Sequence, residues 1–430
     1  MSGPRGTPPS SPFAALGLSA ALVRAVQDRG YAEPTAIQAA AIPPALAGRD
    51  VVGCAHTGSG KTAAFGLALL HHLEHTRRPA LRRALALVLV PTRELAQQVG
   101  ETIRALAVHL SDPVKVAVVF GGVSINPQMM GLRGGAEVVV ATPGRLLDLV
   151  AHNALRLGDV EVLVLDEADR LLDEGFADEL GRLLALLPAR RQNLLFSATL
   201  PPAVQQLAQT LLRDPVRADP PTTSGDAAPA IEQRALQVDV AMRTPLLRHL
   251  LVQHAWPRVL VFVATRYASE HVADKLRRAG IAAAAFHGDM SQGARTQVLA
   301  DLRSGALRVV LATDMAARGL HIAGLSAVIN YDLPRSAADY THRIGRTARA
   351  GATGTALSFI SAATESHFRL IEKRQGQRVP REQLAGFEPR EAAAPASSPE
   401  GGIKGRRKSR KDKLREAAAQ AARIEPPVID

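Results

Sequence analysis

Short apolar runs recur along the chain, with helix-length text between them. The first six are Asp50 to Ala55, Leu85 to Pro91, Val114 to Phe120, Val138 to Ala141, Val160 to Asp166 and Asn193 to Ser197. Runs this short and this rich in Val and Leu predict strands covered on both faces, as in parallel sheets with helices above and below. A second series follows at Ala235 to Val240, Val259 to Val263, Ala282 to Phe286, Val309 to Thr313, Ala327 to Tyr331 and Ala356 to Ile360. Strand text alternating with helix text predicts an α/β fold with a doubly wound parallel sheet, here formed twice. Between the two series, Asp219 to Ala230 reads DPPTTSGDAAPA and breaks every pattern, which predicts a flexible linker. The expected organisation is a disordered N-terminus at 1–12, a first domain at 13–218, the linker at 219–230, a second domain at 231–378 and a basic, largely disordered extension at 379–430.

Two of the predicted strand ends carry chemistry. The stretch VEVLVLDEAD, Val160 to Asp169, runs from a buried strand into Asp166, Glu167 and Asp169. The carboxyl end of a strand in such a sheet faces the crevice where ligands bind. Acids placed there could simply open the following helix, or they could hold magnesium through water and position an attacking water. The stretch AHTGSGKT, Ala55 to Thr62, weighs against the first reading. It is a phosphate-binding loop with Ala55 where the general pattern has its first glycine. Across Thr57, Gly58, Ser59 and Gly60 the backbone N–H groups can surround phosphate oxygens at a helix N-terminus. Lys61 is then expected on the β and γ phosphates, and Thr62 on Mg2+, with Asp166 holding the ion largely through water. Nucleotide hydrolysis with Mg2+ is the expected chemistry.

Composition adds a partner class. At 430 residues the chain fits two domains plus tails, and 47% hydrophobic with only 3% aromatic residues means cores built from Ala, Leu and Val. The net charge of +12 favours a polyanion, nucleic acid before membrane. Lys404 to Arg415 holds eight basic residues against one Asp, net +7, which leaves +5 for the rest of the chain. A single cysteine, Cys54, excludes an internal disulfide and a multi-cysteine metal site and fits a reducing compartment. No apolar run approaches the roughly 18 residues of a membrane span, so a soluble, cytoplasmic monomer with no membrane partner is expected.

DEAD at 166–169, together with the phosphate loop, resembles the signature of the DEAD-box RNA helicases of superfamily 2. Further motifs of that family occur in order over about 13–360. The resemblance implies two tandem RecA-like domains joined by a flexible linker. Gly30, Tyr31 and PTAIQ at 34–38 resemble the family's Q motif, implying that Gln38 recognises adenine and Tyr31 stacks on it; Phe13 resembles the isolated upstream aromatic. PTRELA at 91–96, Gly121 with Gly122, and TPGR at 142–145 imply RNA contacts by Arg93, Gly121, Gly122, Thr142 and Arg145. SAT at 197–199 implies that Ser197 and Thr199 couple ATP state to RNA state through Asp169.

In the second half, FVATR at 262–266, HGDMSQGAR at 287–295 and ATDMAARGL at 312–320 imply RNA contacts by Arg266, His287, Gly288, Arg295 and Thr313. HRIGRTAR at 342–349 implies that Arg346 and Arg349 act like arginine fingers on the γ-phosphate, with His342 in the coupling set. Three-residue spacing puts the two arginines on one side of a helix. The activity implied is ATP-dependent local unwinding of short RNA duplexes, with RNA held by its phosphates irrespective of sequence. Residues 371–389 and 291–305 are similar to the RhlE branch of the family, which implies a role in ribosome assembly or RNA turnover, with ribosomal precursors or RNA-decay machinery as partners.

Three positions depart from the family pattern. Gly319, Leu320 and His321 stand where the family ends in Gly, an aliphatic and the Asp that bonds the ATP ribose. Weakened nucleotide binding is expected, and with it an alternative reading: an ATP-gated RNA clamp or scaffold with weak turnover. Ala348 replaces a glycine and His56 a glutamine, with little consequence expected. The basic cluster at 404–415 is expected to capture structured RNA through its phosphates.

Overall fold

The computed structural model of the chain describes residues 11–55, 58–77, 81–173, 175–219, 231–317, 322, 324–347 and 353–390. Nearly all of the expected linker, the first ten residues and the extension past 390 lie outside the described residues, as do Thr57, Gly319, His321 and Arg349.

Seven strands, β1 (Val51–Cys54), β2 (Ala86–Leu89), β3 (Val116–Val119), β4 (Val138–Ala141), β5 (Val162–Leu165), β6 (Gln192–Ser197) and β7 (Val216–Ala218), form one parallel sheet in the order β3-β4-β2-β5-β6-β1-β7. Seven more, β8 (Ile231–Gln237), β9 (Val259–Phe262), β10 (Ala283–Phe286), β11 (Val309–Ala312), β12 (Ala327–Asn330), β13 (Gly354–Ile360) and β14 (Arg381–Glu382), form a second parallel sheet in the order β10-β11-β9-β12-β13-β8-β14. Successive side chains of a strand serve opposite faces. Val162 and Val164 of β5 join one core cluster and Leu163 and Leu165 another, and in β9 Val259 and Val261 part from Leu260 and Phe262 in the same way. Helices cover both faces, so the central strands carry no polar face at all. That is the two-domain, doubly wound fold the alternation implies.

The second unit runs beyond the expected limit at 378. Arg381–Glu382 pairs with β8, Leu384 and Phe387 pack on the core, and Arg381 bonds both Glu365 and Glu372. Polar text hid this strand, because an edge strand of two residues needs no apolar run. The same holds for β7, whose exposed Arg217 interrupts Val216 and Ala218.

The order of the first sheet places the carboxyl ends of β5, β6 and β1 side by side, which brings the acidic motif, Ser197 and the phosphate loop together. In the second sheet a buried guanidinium holds the equivalent ends in place. Arg343, 3% exposed, donates to both oxygens of Asp314 at 2.6 Å, to the Asn330 side chain at 2.9 Å and to the Asp332 carbonyl at 2.6 Å. Its guanidinium also lies 4.7 Å from the centre of the Phe262 ring. It fixes the helix Ala337–Ile344, which leads directly to Arg346. We expect Arg343→Ala to lower the stability of the second unit by about 3 kcal/mol, since it strands buried acceptors and an acid. Arg343→Lys should recover only part of this, because an ammonium cannot reproduce the fork. Urea unfolding of the three proteins measures both; an unchanged midpoint in Arg343→Ala would remove this role.

A candidate nucleotide and RNA cleft

The phosphate loop leads into the long helix Lys61–His75, whose buried face includes Ala64, Phe65, Leu69 and Leu73. Gly60 caps it with φ +97°, and a Cβ at that position would lie 2.5 Å from the Gln38 amide, so only glycine fits. Gln38 is buried, with its Oε1 accepting from the Thr35 N–H at 3.0 Å and its Nε2 donating to the Gly60 carbonyl at 3.2 Å. The expected adenine ligand therefore also ties the Q-motif helix to the loop. One N–H and one lone pair of its amide remain for an adenine edge. Lys61 is buried and donates to the Ala55 carbonyl at 2.6 Å, across the curl of the loop.

β5 ends in Asp166 and Glu167, 3% and 4% exposed. Burial holds the Asp166 carboxyl up at about 7, against the pull of the Lys61 ammonium and with the neighbouring Glu167 adding to the rise. Glu167 adopts φ +52°, a left-handed conformation that a non-glycine residue adopts only when its surroundings impose it. Its Oε2 is buried with no hydrogen-bond partner and lies 3.6 Å from Arg170 Nε. Asp169 is tied to the next strand end. Its N–H donates to Ser197 Oγ at 3.2 Å, and its carboxylate accepts from the Thr199 N–H at 3.1 Å and hydroxyl at 2.7 Å.

These groups share a cleft of about 900 Å³ lined by Tyr31, Gln38, Gly58, Gly60, Lys61, Thr62, Asp166 and Glu167 from the first unit and Arg346 from the second. Arg346 is buried and donates from Nε to the His342 carbonyl at 3.2 Å. The imidazole of His342 lies close enough to Arg170 and Asp169 for them to shift it. Burial first, then the Arg170 charge, takes it down to about 4, with Arg346 adding to the fall and Asp169 and Glu167 opposing it. Phe13, by contrast, is fully buried in the first core.

Along the expected RNA face the placements differ among themselves. Arg145 is buried; one Nη donates to the Val123 carbonyl at 2.7 Å, while Nε and the other Nη have no hydrogen-bond partner. Thr142 accepts from the Gly121 N–H at 3.3 Å. Gly122, at φ +76°, leaves room for the Arg93 guanidinium, which a Cβ there would meet at 2.3 Å. His287 pairs through Nε2 with Glu270 at 2.8 Å, and its Nδ1 is buried without a partner. Arg266 pairs with Asp289 at the surface. Thr313 donates its N–H to the Phe286 carbonyl at 3.3 Å and is half-buried, while Gly288 has open space around it.

Arg295 is engaged differently from a free RNA contact. It is 5% exposed, lies over the Phe286 ring and donates to Glu94 of the first unit at 2.7 and 2.8 Å, and Gln292 donates to Gln97 across the same units at 3.5 Å. Glu94, in the first turn of helix Arg93–Leu106, was not singled out from the sequence, nor was Arg170. The available signal for Glu94 was an acid inside a motif expected to face a polyanion.

Residues 35–207 match the family described as DEAD/DEAH box helicase, and residues 243–351 match the helicase conserved C-terminal domain. The ATP-dependent RNA helicase SrmB of Escherichia coli is 44% identical over 370 residues, covering 85% of this chain and 82% of that protein. The chain belongs to the DEAD-box helicase family. The ATP-dependent RNA helicase DeaD of Mycobacterium tuberculosis is 43% identical over 376 residues, and this DEAD-box chain spans 65% of its length. Among solved structures, S. cerevisiae Dbp5 bound to RNA and ADP BeF3 superimposes with a TM-score of 0.77 at 30% identity, covering 87% of this chain and 96% of that one.

Two measurements test the cleft of this DEAD-box protein. A double-mutant cycle should show Glu94→Gln and Arg295→Gln each weakening closure of the two units on one another about tenfold, and the pair no more than either alone, because they share one ion pair. Fluorescence transfer between labels on the two units reads closure; additive losses would instead return Arg295 to RNA contact. The second concerns His342. Taken down to about 4 in this arrangement, against an ordinary value of 6.5 for a solvated imidazole, His342 would bind more protons with the units apart between these values, so its contribution to their closure is full above 6.5 and is lost as pH falls toward 4. At a pH of about 5.5 closure should be roughly tenfold weaker than at neutrality, and His342→Asn should flatten that slope. A slope that persists in His342→Asn would assign it elsewhere.

Proposed function

We propose that this DEAD-box protein is an RNA-dependent ATPase that closes its two domains on ATP and RNA, separates short RNA duplexes locally and reopens on hydrolysis. One observation carries the reading: the phosphate loop, the two buried acids and Arg346 line a single cleft to which both domains contribute. Adenine lies against Tyr31 and the remaining amide positions of Gln38, and the triphosphate lies on the N–H groups of Thr57 to Thr62. Lys61 exchanges the Ala55 carbonyl for phosphate oxygens. Glu167 Oε2, paired with Arg170 at 3.6 Å but accepting no hydrogen bond, orients the attacking water and accepts its proton, a geometry its strained backbone holds ready. Arg346, with Arg349, offsets charge developing on the γ-phosphate, which a second domain can supply only when closed.

The donor set fits Mg2+. Thr62 offers a hydroxyl, and Asp166 is a buried carboxylate whose ionised form lacks sufficient compensation until a cation arrives. Bound there largely through water, the ion would neutralise phosphate charge.

RNA phosphates and sugars lie across Arg93, Gly121, Gly122, Thr142 and Arg145 on one domain and Arg266, His287, Gly288 and Thr313 on the other, without base readout. Arg145 Nη1, buried without a hydrogen-bond partner while Nε pairs with Asp148 at 3.7 Å, supports an anionic occupant. Ser197, Thr199 and Asp169 join the water-positioning acid to the RNA side, and His342 sits against them from the second domain. The likeness to Dbp5 bound to RNA and ADP BeF3 supports a closed, two-domain arrangement. The finer assignment is to the RhlE branch, as a cytoplasmic monomer acting in ribosome assembly or RNA turnover; it rests on the 371–389 and 291–305 text. No helix among the described residues is long and apolar enough to cross a membrane.

Steady-state ATP hydrolysis with and without single- or double-stranded RNA tests this directly. RNA should stimulate turnover strongly, and Glu167→Gln should abolish it, by at least about a hundredfold, while keeping ATP-dependent RNA binding. ATP-dependent RNA binding without turnover in the unaltered protein would instead identify an ATP-gated clamp.

A further inference from the structure

The phosphate-loop helix ends in His71, His72, Leu73, Glu74 and His75, at the opposite end from Lys61 and about 21 Å away along the axis at 1.5 Å per residue. His71, Glu74 and His75 stand at i, i+3 and i+4, so they share one face. Their candidate ligand atoms all lie within 4.8 Å of one another. Nitrogen and oxygen ligands 2.0–2.2 Å from a tetrahedral ion stand roughly 3.4 Å apart, so small side-chain rotations bring the three into register.

Independent observations point to a ligand. His71 Nδ1 and Glu74 Oε2 are both buried with no hydrogen-bond partner, an arrangement that calls for an ion or water at the site. His75 Nδ1 bonds the His71 carbonyl at 2.8 Å. Donated from that nitrogen, this bond fixes the tautomer that leaves Nε2 with its lone pair, as in metal-ligating histidines held by a backbone carbonyl.

The turn is also anchored. Leu73 is fully buried, and His72 turns away to pair with Glu161, just before β5, at 2.7 Å. A cation here would further sit at the negative end of a 15-residue helix. Read as text, the stretch is H-x-x-E-H, a zinc-binding spacing that also occurs in one class of metallopeptidases.

We propose that His71, Glu74 and His75 form a binding site for a divalent transition metal of the zinc class, with water completing the coordination. The assignment is of binding alone, not of peptide hydrolysis, and it is independent of the ATP and RNA reading.

The test uses the full chain, stripped with a chelator and held in excess Mg2+ so that oxygen-rich sites are occupied. Zn2+ alone is titrated by calorimetry, with Co2+ absorption as the spectroscopic probe. The unaltered protein should bind one more saturable equivalent of Zn2+ than either His75→Ala or Glu74→Gln, and His72→Ala should keep that equivalent. His75 is exposed, so its replacement leaves the fold intact. Zn2+ should also raise the thermal midpoint of the unaltered chain more than that of His75→Ala, since a ligand of the folded state stabilises it. The same Zn2+ stoichiometry in all four proteins, or loss of the equivalent in His72→Ala alone, would overturn the proposal.

Discussion

Two carboxylates at the end of a strand with no water around it are the constraint on which the cleft depends. Asp166 and Glu167 follow directly from β5, whose four residues are fully buried, and at 3% and 4% exposure both acids are poorly solvated. Ionised and uncompensated, each would cost several kcal/mol. The surrounding residues read as a response to that cost. Lys61 approaches from the next-but-one strand end, Arg170 from the following helical turn, and Arg346 from the second domain. Even so, Asp166 sits near the point where it would rather hold a proton. A site this close to balance has its protonation and its geometry decided by what binds, which is the property a nucleotide-gated switch requires.

Closure repeats the argument on a larger scale. The contacts joining the two units at the cleft described above are polar: Glu94 with Arg295, and the groups around His342. Each partner of the ion pair would be hydrated in an open arrangement, so forming the pair exchanges hydration for attraction with little net gain. Such a pair sets register more than it supplies affinity. On the proposed reading, contacts of this kind leave closure within reach of differential ligand binding. A large apolar interface would have locked the domains together and left the ligands nothing to control.

What could be read from sequence follows the range over which each feature is specified. β1 to β6 and β9 to β13 were legible because a strand buried on both faces must be an apolar run. β7, β14 and the early start of β8 were not, since Arg217, Arg381 with Glu382, and Glu232 to Arg234 put polar side chains in place of an apolar run. The phosphate loop and the acidic motif are local strings whose chemistry needs only neighbours in sequence and a strand before them. Glu94 and Arg343 escaped notice because their roles depend on partners far along the chain: Arg295 for one, and Asp314, Asn330 and Asp332 for the other. Gln38 shows the intermediate case. Its place in the motif was legible, but its bond to the Gly60 carbonyl appears only once the helix and loop are packed.

The groups the fold leaves unsatisfied make up the last part of the argument. Native proteins pair nearly all their buried polar atoms, so the exceptions carry information. Glu167 Oε2 faces the nucleotide cleft, Arg145 retains two unbonded guanidinium nitrogens on the first domain, and His287 retains a ring nitrogen on the second. Two of them differ in the way a nucleotide and a polyanion would require: an acceptor at Glu167 where water must be oriented, donors at Arg145 where phosphate must lie. Backbone strain coincides with them at one position, Glu167, where φ +52° holds the carboxylate toward the site. Three of the unsatisfied groups therefore lie where ligand atoms would complete them, while others, such as Asn193 Oδ1 and Arg191 Nε at the far end of β6, do not. On this reading, closing on ATP and RNA satisfies polar groups that folding alone leaves open.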